Sequence, residues 1–243
     1  MNIIKLDAID STNDFLLKMA EKGVEDNFLA VRANFQTKGR GQRGKSWVSK
    51  PGENLMFSLY FRPLNDFVMS LTQLNQLVAL TILDVLNDYD LPKLAIKWPN
   101  DIMSVKHKLG GILIETKLNS TGIKYAVIGI GLNVNQMDFD KEIRATSMLL
   151  RSDGKHIHLN ELFQSLLAAL ESVLSSVEDP NQTRNRYNDA LFLKNQVGFF
   201  ENLQSGKQFQ AVVKAVNDKH ELCLEMDNEV LHTFKHGEIK LLL

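Results

Sequence analysis

Hydrophobic positions along this chain fall into two patterns, alternating or continuous runs that predict β-strands and stripes three or four residues apart that predict α-helices. In the first part of the chain, the runs predict strands at residues 2–6, 28–35, 54–61, 94–98, 102–105, 109–117 and 124–134. The stripes predict helices at residues 11–23, 70–88, 159–177 and 181–192. The run at 124–134 is almost continuously apolar, which predicts a strand buried on both faces.

The pattern of hydrophobic residues changes after Lys194. Short alternating runs predict strands at residues 197–203, 209–217, 221–226, 230–234 and 239–242. The breaks between them are Ser205-Gly206, Asp218-Lys219, Asp227-Asn228 and His236-Gly237. Five short strands in about fifty residues predict a small β-barrel. We therefore expect two domains, residues 1–194 and residues 195–243.

A basic, glycine-rich segment follows the second predicted strand. It reads Lys38-Gly39-Arg40-Gly41-Gln42-Arg43-Gly44-Lys45-Ser46-Trp47, with four cations and three glycines within eight residues. Glycines let backbone N–H groups approach a ligand closely, and the cations can neutralise phosphate charge. The segment therefore predicts a loop that binds an anion.

Residues 39–46 also match the Gly-x-x-x-x-Gly-Lys-Ser pattern of P-loop nucleotide hydrolases. That pattern works only when a helix begins at the Lys, because the phosphate lies against the helix N-terminus. Here Pro51-Gly52 breaks any helix within two turns, and residues 54–61 then alternate as a strand. We therefore reject the P-loop class and keep the anion-binding interpretation of the loop.

Three further segments carry polar residues or paired glycines at the ends of apolar strands. They are Lys97-Trp98-Pro99-Asn100-Asp101, Lys108-Leu109-Gly110-Gly111-Ile112-Leu113-Ile114-Glu115 and Gly129-Ile130-Gly131-Leu132-Asn133-Val134-Asn135. Together they supply ammonium, carboxylate and amide groups, and glycines in strands indicate close backbone approach. The combination predicts a polar pocket built on a sheet.

Composition narrows the class of protein. The 243 residues carry a formal net charge of −1, so we expect no DNA partner. The single cysteine, Cys223, excludes an internal disulfide and a cysteine-based zinc site, and the six histidines have no metal-ligand spacing. The first residues show no basic stretch followed by an apolar core, so we expect no signal peptide, and no apolar run approaches the ~18 residues that span a bilayer. We therefore expect a cytoplasmic protein without a membrane partner.

In their order along the chain, these segments resemble the biotin protein ligases. The matching residues are Asp10-Ser11-Thr12-Asn13, Gln36, Lys38-Gly39-Arg40-Gly41, Trp47, Lys97-Trp98-Pro99-Asn100-Asp101, Lys108-Leu109-Gly110-Gly111-Ile112-Leu113-Ile114-Glu115 and Gly129-Ile130-Gly131-Leu132-Asn133. The resemblance implies an α+β catalytic domain, with a mixed sheet flanked by helices as in class II aminoacyl-tRNA synthetases, and a C-terminal SH3-like barrel. It also implies the minimal form of the family, without the N-terminal DNA-binding domain of its repressor members.

The resemblance further implies an activity and a set of site residues. Biotin and ATP, with Mg²⁺, would give biotinyl-5′-AMP, and biotin would then pass to a lysine of a biotin carboxyl carrier protein. Lys108 and Arg40 would be catalytic. Biotin would contact Ser11, Thr12, Asn13, Gln36, Arg40, Gly41, Gln42, Lys108 and Gly111. The nucleotide would contact Arg40, Arg43, Lys45, Trp47, Asn100, Asp101 and Asn133, and Asp101 is also the candidate ligand for Mg²⁺.

Two positions depart from the family pattern. Gln42 stands where many members carry Arg, and Leu242 stands where some members carry Arg. Arg43 or Lys45 could compensate for the first, and Lys240 or Lys235 for the second. A lipoate–protein ligase and a non-enzymatic protein that binds biotin or a carrier domain stay open as alternatives, as does the choice between monomer and homodimer.

Overall fold

The computed structural model describes residues 1–63, 69–120, 122–140, 143–226 and 229–243, so the predicted break at Asp227-Asn228 lies outside the described residues. The strands of the larger sheet are β1 (Asn2–Ile9), β2 (Phe28–Gln36), β3 (Leu55–Phe61), β4 (Leu94–Lys97), β5 (Asp101–Ser104), β6 (His107–Asn119) and β7 (Gly122–Leu132). The helices are α1 (Thr12–Lys22), α2 (Leu71–Leu86), α3 (Met148–Arg151), α4 (Leu159–Leu174) and α5 (Pro180–Asp189).

The seven strands form a mixed sheet in the order β1-β2-β3-β7-β6-β5-β4. Only the pair β1–β2 is parallel, and the remaining pairs in this sheet are antiparallel. A parallel pair needs a crossover, and α1 supplies it between β1 and β2. The expected α+β fold with a mixed sheet is therefore confirmed.

Helices cover both faces of this sheet. The side chain of Leu16 from α1 packs on Val31 and Val127 on one face. Residues of α2 and α4 pack on the other face, where Phe57 meets Phe163 edge-on with ring centroids 5.2 Å apart. This two-sided cover explains why every residue of β3 is buried and why the middle of β7 is almost continuously apolar.

Local capping fixes where the helices begin. The Ser11 hydroxyl accepts a hydrogen bond from the backbone N–H of Asp14 at 3.3 Å, and Gly23 follows the last residue of α1. Asp179 caps α5, and Pro180 occupies its first turn, where a missing N–H costs nothing. The predicted starts of these two helices agree with the structure to within a residue.

The predicted end of the last helix is wrong. Helix α5 ends at Asp189 rather than near residue 192, because the following backbone pairs with β4 instead. The N–H of Ile96 donates to the carbonyl of Ala190 at 2.8 Å, and the N–H of Phe192 donates to the carbonyl of Ile96 at 2.9 Å. Long-range pairing thus overrides a local amphipathic pattern.

The four-residue helix α3 was not predicted, because it is too short to show a period.

The C-terminal strands form a second, antiparallel sheet. They are β8 (Val197–Asn202), β9 (Gln208–Val216), β10 (Leu222–Glu225), β11 (Leu231–Phe234) and β12 (Ile239–Leu242), in the order β11-β10-β9-β8-β12. All five predicted C-terminal strands are therefore confirmed. This sheet shares a continuous core with the first one, since Phe200, Val213 and Leu222 belong to the same buried cluster as Leu191.

Among the residues that the structure describes, no helix combines the length and the apolar character needed to cross a bilayer.

A histidine is buried where the two sheets meet. The ring of His220 lies 6.0 Å from the ring of Tyr187 and 6.4 Å from the ring of Trp98, measured between centroids. The indole N–H of Trp98 donates to the carbonyl of His220 at 3.0 Å. Burial lowers the pKa of His220 to about 4.

This burial predicts a specific dependence of stability on pH. An unfolded histidine titrates near 6.5 and the folded one near 4, so the proton binds the unfolded chain preferentially between these values. The contribution of His220 to the free energy of unfolding is constant above pH 6.5. Between pH 6.5 and pH 4 this contribution falls by about 3 kcal/mol. His220→Asn, which suits the left-handed backbone there, should flatten this part of the curve in urea unfolding. The exposed His232→Asn is the matched control, and equal slopes for the two variants would contradict the assignment.

Candidate active site

A cavity of about 370 Å³ lies between the two sheets and beneath the glycine-rich loop. Its walls come from the start of α1, the strands β5, β6 and β7, the loop, and the C-terminal sheet. Side chains of the C-terminal sheet, including Phe200, Leu222 and Ile239, line it alongside Ile112 and Ile130 of the larger sheet. The cavity therefore depends on both parts of the chain.

At one end of the cavity, a buried polar network joins α1 to β2 and β3. The side-chain oxygen of Gln36 accepts from the backbone N–H of Thr12 at 2.7 Å and from its hydroxyl at 3.0 Å. The Thr12 and Ser58 hydroxyl oxygens lie 2.7 Å apart, and the Ser58 hydroxyl donates to the side-chain oxygen of Asn13 at 2.5 Å. Four polar side chains thus fix one another within a wall that is otherwise apolar.

Two carboxylates hold Asn13 and Arg40 from outside the cavity. The amide of Asn13 donates to Glu115 at 2.9 Å, and the guanidinium of Arg40 lies 2.7 Å from the same carboxylate. Arg40 also lies 2.6 Å from Asp14. Burial acts against the charge of Arg40, but the two carboxylates outweigh it and raise the pKa of the guanidinium.

Two glycines of β7 make room for this arrangement. A Cβ at position 129 would overlap the carboxamide of Asn13, and a Cβ at position 131 would lie 2.7 Å from the indole ring of Trp47. Both glycines are needed because another side chain occupies the space above the sheet. The strand glycines predict close backbone approach, and at positions 129 and 131 the groups that come close to the backbone are the side chains of Asn13 and Trp47.

A second charged cluster lies at the junction of β5 and β6. The ammonium of Lys108 lies 2.5 Å from one oxygen of Asp101, and the ammonium of Lys97 lies 3.5 Å from the other. Lys108 also lies 5.5 Å from the centre of the Trp47 ring, close enough for a cation–π contact. The neighbouring Asn100 donates from its amide to the carbonyl of Ile112 at 2.6 Å, which ties the turn after β4 to β6.

The glycine-rich loop folds back on itself over the cavity. The N–H of Gly41 donates to the carbonyl of Lys45 at 2.6 Å, and the N–H of Trp47 donates to the carbonyl of Gly39 at 2.8 Å. A single 3₁₀ turn over Gln42–Gly44 forms the tip. No helix follows Lys45 in this described segment, so the feature that a P-loop requires is missing and its rejection is confirmed.

The structure brings nearly all of the sequence-predicted site residues to this cavity. Those that line it are Ser11, Thr12, Asn13, Gln36, Arg40, Gly41, Gln42, Arg43, Lys45, Trp47, Asn100, Asp101, Lys108 and Gly111. Asn133 is buried behind the wall, where its amide donates to the carbonyl of Thr146 at 3.0 Å. Lys240, one of the two candidates to replace the missing C-terminal Arg, also lines the cavity.

Sequence reasoning gave no role to several residues that the structure places at the site. Ser58 lies in a fully buried strand, where a serine among apolar residues was the only signal. Glu115 lies at the end of the segment that begins at Lys108, and Asp14 lies in the first turn of α1. The contact between Arg43 and His236 joins residues 193 positions apart, and no local pattern could reveal it.

The side chains that line the cavity indicate how it could bind a metal ion. Within the described ranges, no group of three His, Cys, Asp or Glu side chains could hold a metal ion by itself. Asp101 is the one acidic side chain among the described residues that line the cavity. A single carboxylate suits Mg²⁺ that arrives bound to phosphates and keeps several waters.

Comparisons with known proteins agree with this fold. The model of the biotin/lipoate A/B protein ligase family matches residues 6–133. The bifunctional ligase/repressor BirA of Salmonella typhimurium is 29% identical over 246 residues, covering 99% of this chain and 74% of that protein. BirA of Bacillus spizizenii is 34% identical over 175 residues, covering 70% of this chain. The matched region spans about half the length of the Bacillus and Escherichia coli relatives.

A solved structure shows that the fold is shared. The biotin protein ligase from Aquifex aeolicus, in complex with biotin and ATP, superposes with a TM-score of 0.80 over 99% of this chain and 98% of that one, at 24% identity. The mixed sheet, the second small sheet and the cavity beneath a basic loop thus define the class of protein. The chain belongs to the biotin/lipoate A/B protein ligase family, and the resemblance to the biotin protein ligases is confirmed.

The buried network leads to a prediction about stability. Ser58→Ala removes the donor to Asn13 and a neighbour of the Thr12 hydroxyl, leaving polar atoms buried with fewer partners. We expect the free energy of unfolding to fall by about 1–3 kcal/mol. Denaturant unfolding measures this change, with Ser120→Ala in the exposed β6–β7 turn as the control. A loss no larger than that of Ser120→Ala would mean that the network contributes little.

Proposed function

We propose that this chain joins biotin to ATP, giving biotinyl-5′-AMP and pyrophosphate, and then transfers biotin to a lysine of a biotin carboxyl carrier domain. The observation that carries the proposal is the cavity itself, which is lined both by members of a neutral hydrogen-bonding network and by the cations Arg40, Arg43, Lys45 and Lys108. The named activities of the relatives support it. We also propose that residues 1–194 form the catalytic domain and that residues 195–243 form a second domain that closes the cavity.

The neutral network suits the ureido ring of biotin. The Thr12 hydroxyl donates to Gln36 and the Ser58 hydroxyl donates to Asn13, so the Thr12 oxygen keeps acceptor capacity on a residue that lines the cavity. A ureido group supplies N–H donors, and its carbonyl can accept in return. Ser11, Gln36 and Asn13 would complete the contacts to this ring.

The neutral network disfavours lipoate. The ring of lipoate contains sulfur and carbon and has no N–H to donate. Binding it here would leave Thr12 and Asn13 without a polar partner from the ligand, which sites of this kind reject strongly. The lipoate–protein ligase alternative is therefore the weaker of the two.

The cations of the lining suit the phosphates of ATP. Lys108, Arg40, Arg43 and Lys45 line the cavity, and Trp47 offers a flat apolar surface next to Lys108. Lys108 is paired with Asp101, and Arg40 is paired with Asp14 and Glu115. These carboxylates fix the positions of the two cations in the cavity, which lowers the cost of ordering them.

In the first step, a carboxylate oxygen of biotin attacks the α-phosphorus of ATP. The bond from that phosphorus to the oxygen bridging to the β-phosphorus breaks, and pyrophosphate leaves with the electron pair. Lys108 and Arg40 would stabilise the negative charge that develops on the phosphoryl oxygens. Mg²⁺ bound to the ATP phosphates would supply further charge neutralisation, and Asp101 is the residue of the lining that would help to hold it.

In the second step, the amine of the acceptor lysine attacks the acyl carbon of the adenylate. The bond from that carbon to the phosphate oxygen breaks, AMP leaves, and the nitrogen loses a proton as the amide forms. The role of the chain here is to exclude water from the anhydride until the acceptor arrives. The closed loop and the apolar wall of the C-terminal sheet suit that role.

The direct test is ATP–pyrophosphate exchange with biotin or lipoate as the acid. We expect exchange that depends on biotin and is absent with lipoate. Exchange with lipoate alone would make the chain a lipoate ligase. Tight binding of biotin with no exchange would make it a binding protein without the ligase activity.

Lys108→Ala tests the assignment of charge stabilisation. We expect at least a hundredfold loss of exchange rate, about 3 kcal/mol of transition-state stabilisation, while the unfolding transition is nearly unchanged. Lys117→Ala is the control, because it removes the same charge from the exposed end of the same strand. Equal exchange rates in the two variants would show that Lys108 has no such role.

Gln42→Gly tests retention of the adenylate by the loop. The side-chain oxygen of Gln42 is buried and has no partner among the described residues, so we expect it to receive a hydrogen bond from the intermediate. Its removal should release biotinyl-5′-AMP faster, measured as biotinylation of unrelated proteins added to the assay. Gln204→Gly in an exposed turn is the control. If wild type and Gln42→Gly label bystander proteins equally, Gln42 does not hold the intermediate.

A further inference from the structure

The tip of the glycine-rich loop contacts a turn of the C-terminal sheet. A guanidinium nitrogen of Arg43, Nη2, donates to the carbonyl oxygen of His236 at 2.5 Å. The guanidinium also lies flat against Gly237, so closely that a Cβ at that position would overlap it. This is the point at which the loop is tied to the second half of the chain.

The loop is also tied at its other end. Arg40, three residues before Arg43, is held by Asp14 of α1 and Glu115 of β6. Arg43 itself has φ 56° and ψ 42°, a left-handed conformation that is unfavourable for a residue with a side chain. A residue keeps such a backbone only where its surroundings hold it there. Arg40 thus fixes one end of the loop to the larger sheet and α1, and Arg43 fixes its tip to the C-terminal sheet.

The turn that receives Arg43 is fixed independently of the loop. The N–H of Glu238 donates to the carbonyl of Lys235 at 3.1 Å, and the Glu238 carboxylate accepts from the N–H of Lys235 at 2.8 Å. The N–H of Leu203 donates to the carbonyl of Glu238 at 2.8 Å, which ties the turn to the end of β8. The ring of His236 meets the ring of Trp98 edge-on, with centroids 5.9 Å apart. The turn is therefore a preformed support.

We propose that Arg43 is a positioning residue that holds the loop closed through the backbone of His236 and Gly237, so that the C-terminal sheet sets how long the adenylate stays in the cavity. The claim about retention of the adenylate rests on the proposed function, whereas the claim that Arg43 holds the loop closed does not. The sequence resemblance assigned Arg43 to the nucleotide, whereas this role works through the protein backbone. Gly237 is part of the device because only a residue without Cβ lets the guanidinium lie there.

The first experiment measures the contact without substrates. Gly237→Ala and Gly206→Ala both put a methyl group at a glycine with positive φ, +87° and +71°, in turns of the same C-terminal region. Only the methyl at 237 meets Arg43, since nothing lies within 4 Å of the one at 206. We expect amide hydrogen exchange in residues 39–47 to be about tenfold faster in Gly237→Ala and unchanged in Gly206→Ala.

The second experiment measures retention. Wild type and variants are loaded with biotin and ATP, and loss of bound biotinyl-5′-AMP is followed after dilution. We expect Arg43→Ala and Gly237→Ala to shorten the retention time by about the same factor. We expect the double variant to be no worse than Arg43→Ala, because both changes remove one contact.

The outcomes test two claims separately: that Arg43 holds the loop closed, and that the C-terminal sheet sets how long the adenylate is retained. Equal loop exchange in Gly237→Ala and Gly206→Ala, or effects of Arg43→Ala and Gly237→Ala that multiply, would overturn the role of Arg43. Faster loop exchange with unchanged retention would overturn control by the C-terminal sheet. If wild type forms no adenylate, the proposed function fails and with it the retention half, while the loop-exchange comparison still decides whether Arg43 holds the loop.

Discussion

The site depends on the limited space between β7 of the larger sheet and the side chains that pack over it. Asn13 and Trp47 lie directly over β7, and they can do so only because positions 129 and 131 carry no side chain. Asn13 is then close enough to Ser58 and Glu115 to be fixed by both. A methyl group at either glycine would push a site residue into the cavity or away from its partners, since packed interiors yield little.

Charge pairing prepares the same cavity for anions. Two of the cations at the site are paired with carboxylates, Lys108 with Asp101 and Arg40 with Asp14 and Glu115. A glycine-rich loop would otherwise lose much conformational entropy on closing. Here the ion pairs at its stem and the Arg43 contact at its tip hold it in place beforehand. The incoming phosphates would therefore meet an ordered set of donors rather than a free loop.

Much of the fold follows from patterns visible in the sequence. Alternation and apolar runs locate the twelve strands found among the described residues, and the N-cap Ser11 and the first-turn Pro180 mark helix starts, because these signals act over a few residues. The end of α5 could not be found this way, since it depends on pairing between Ile96 and the chain at Ala190. The site follows the same rule. Motif residues such as Lys108 were identifiable, whereas Ser58 and the turn at His236 gain meaning only from neighbours distant in sequence.

The most direct test of the account is the species that the cavity retains. Native mass spectrometry of the chain after incubation with biotin and ATP, followed by buffer exchange, reports the bound ligand and its stoichiometry. The account predicts one biotinyl-5′-AMP per chain, formed only when both substrates are present. A chain that consumes ATP but emerges with biotin alone, or that retains a lipoyl adenylate in its place when offered lipoate, would contradict it.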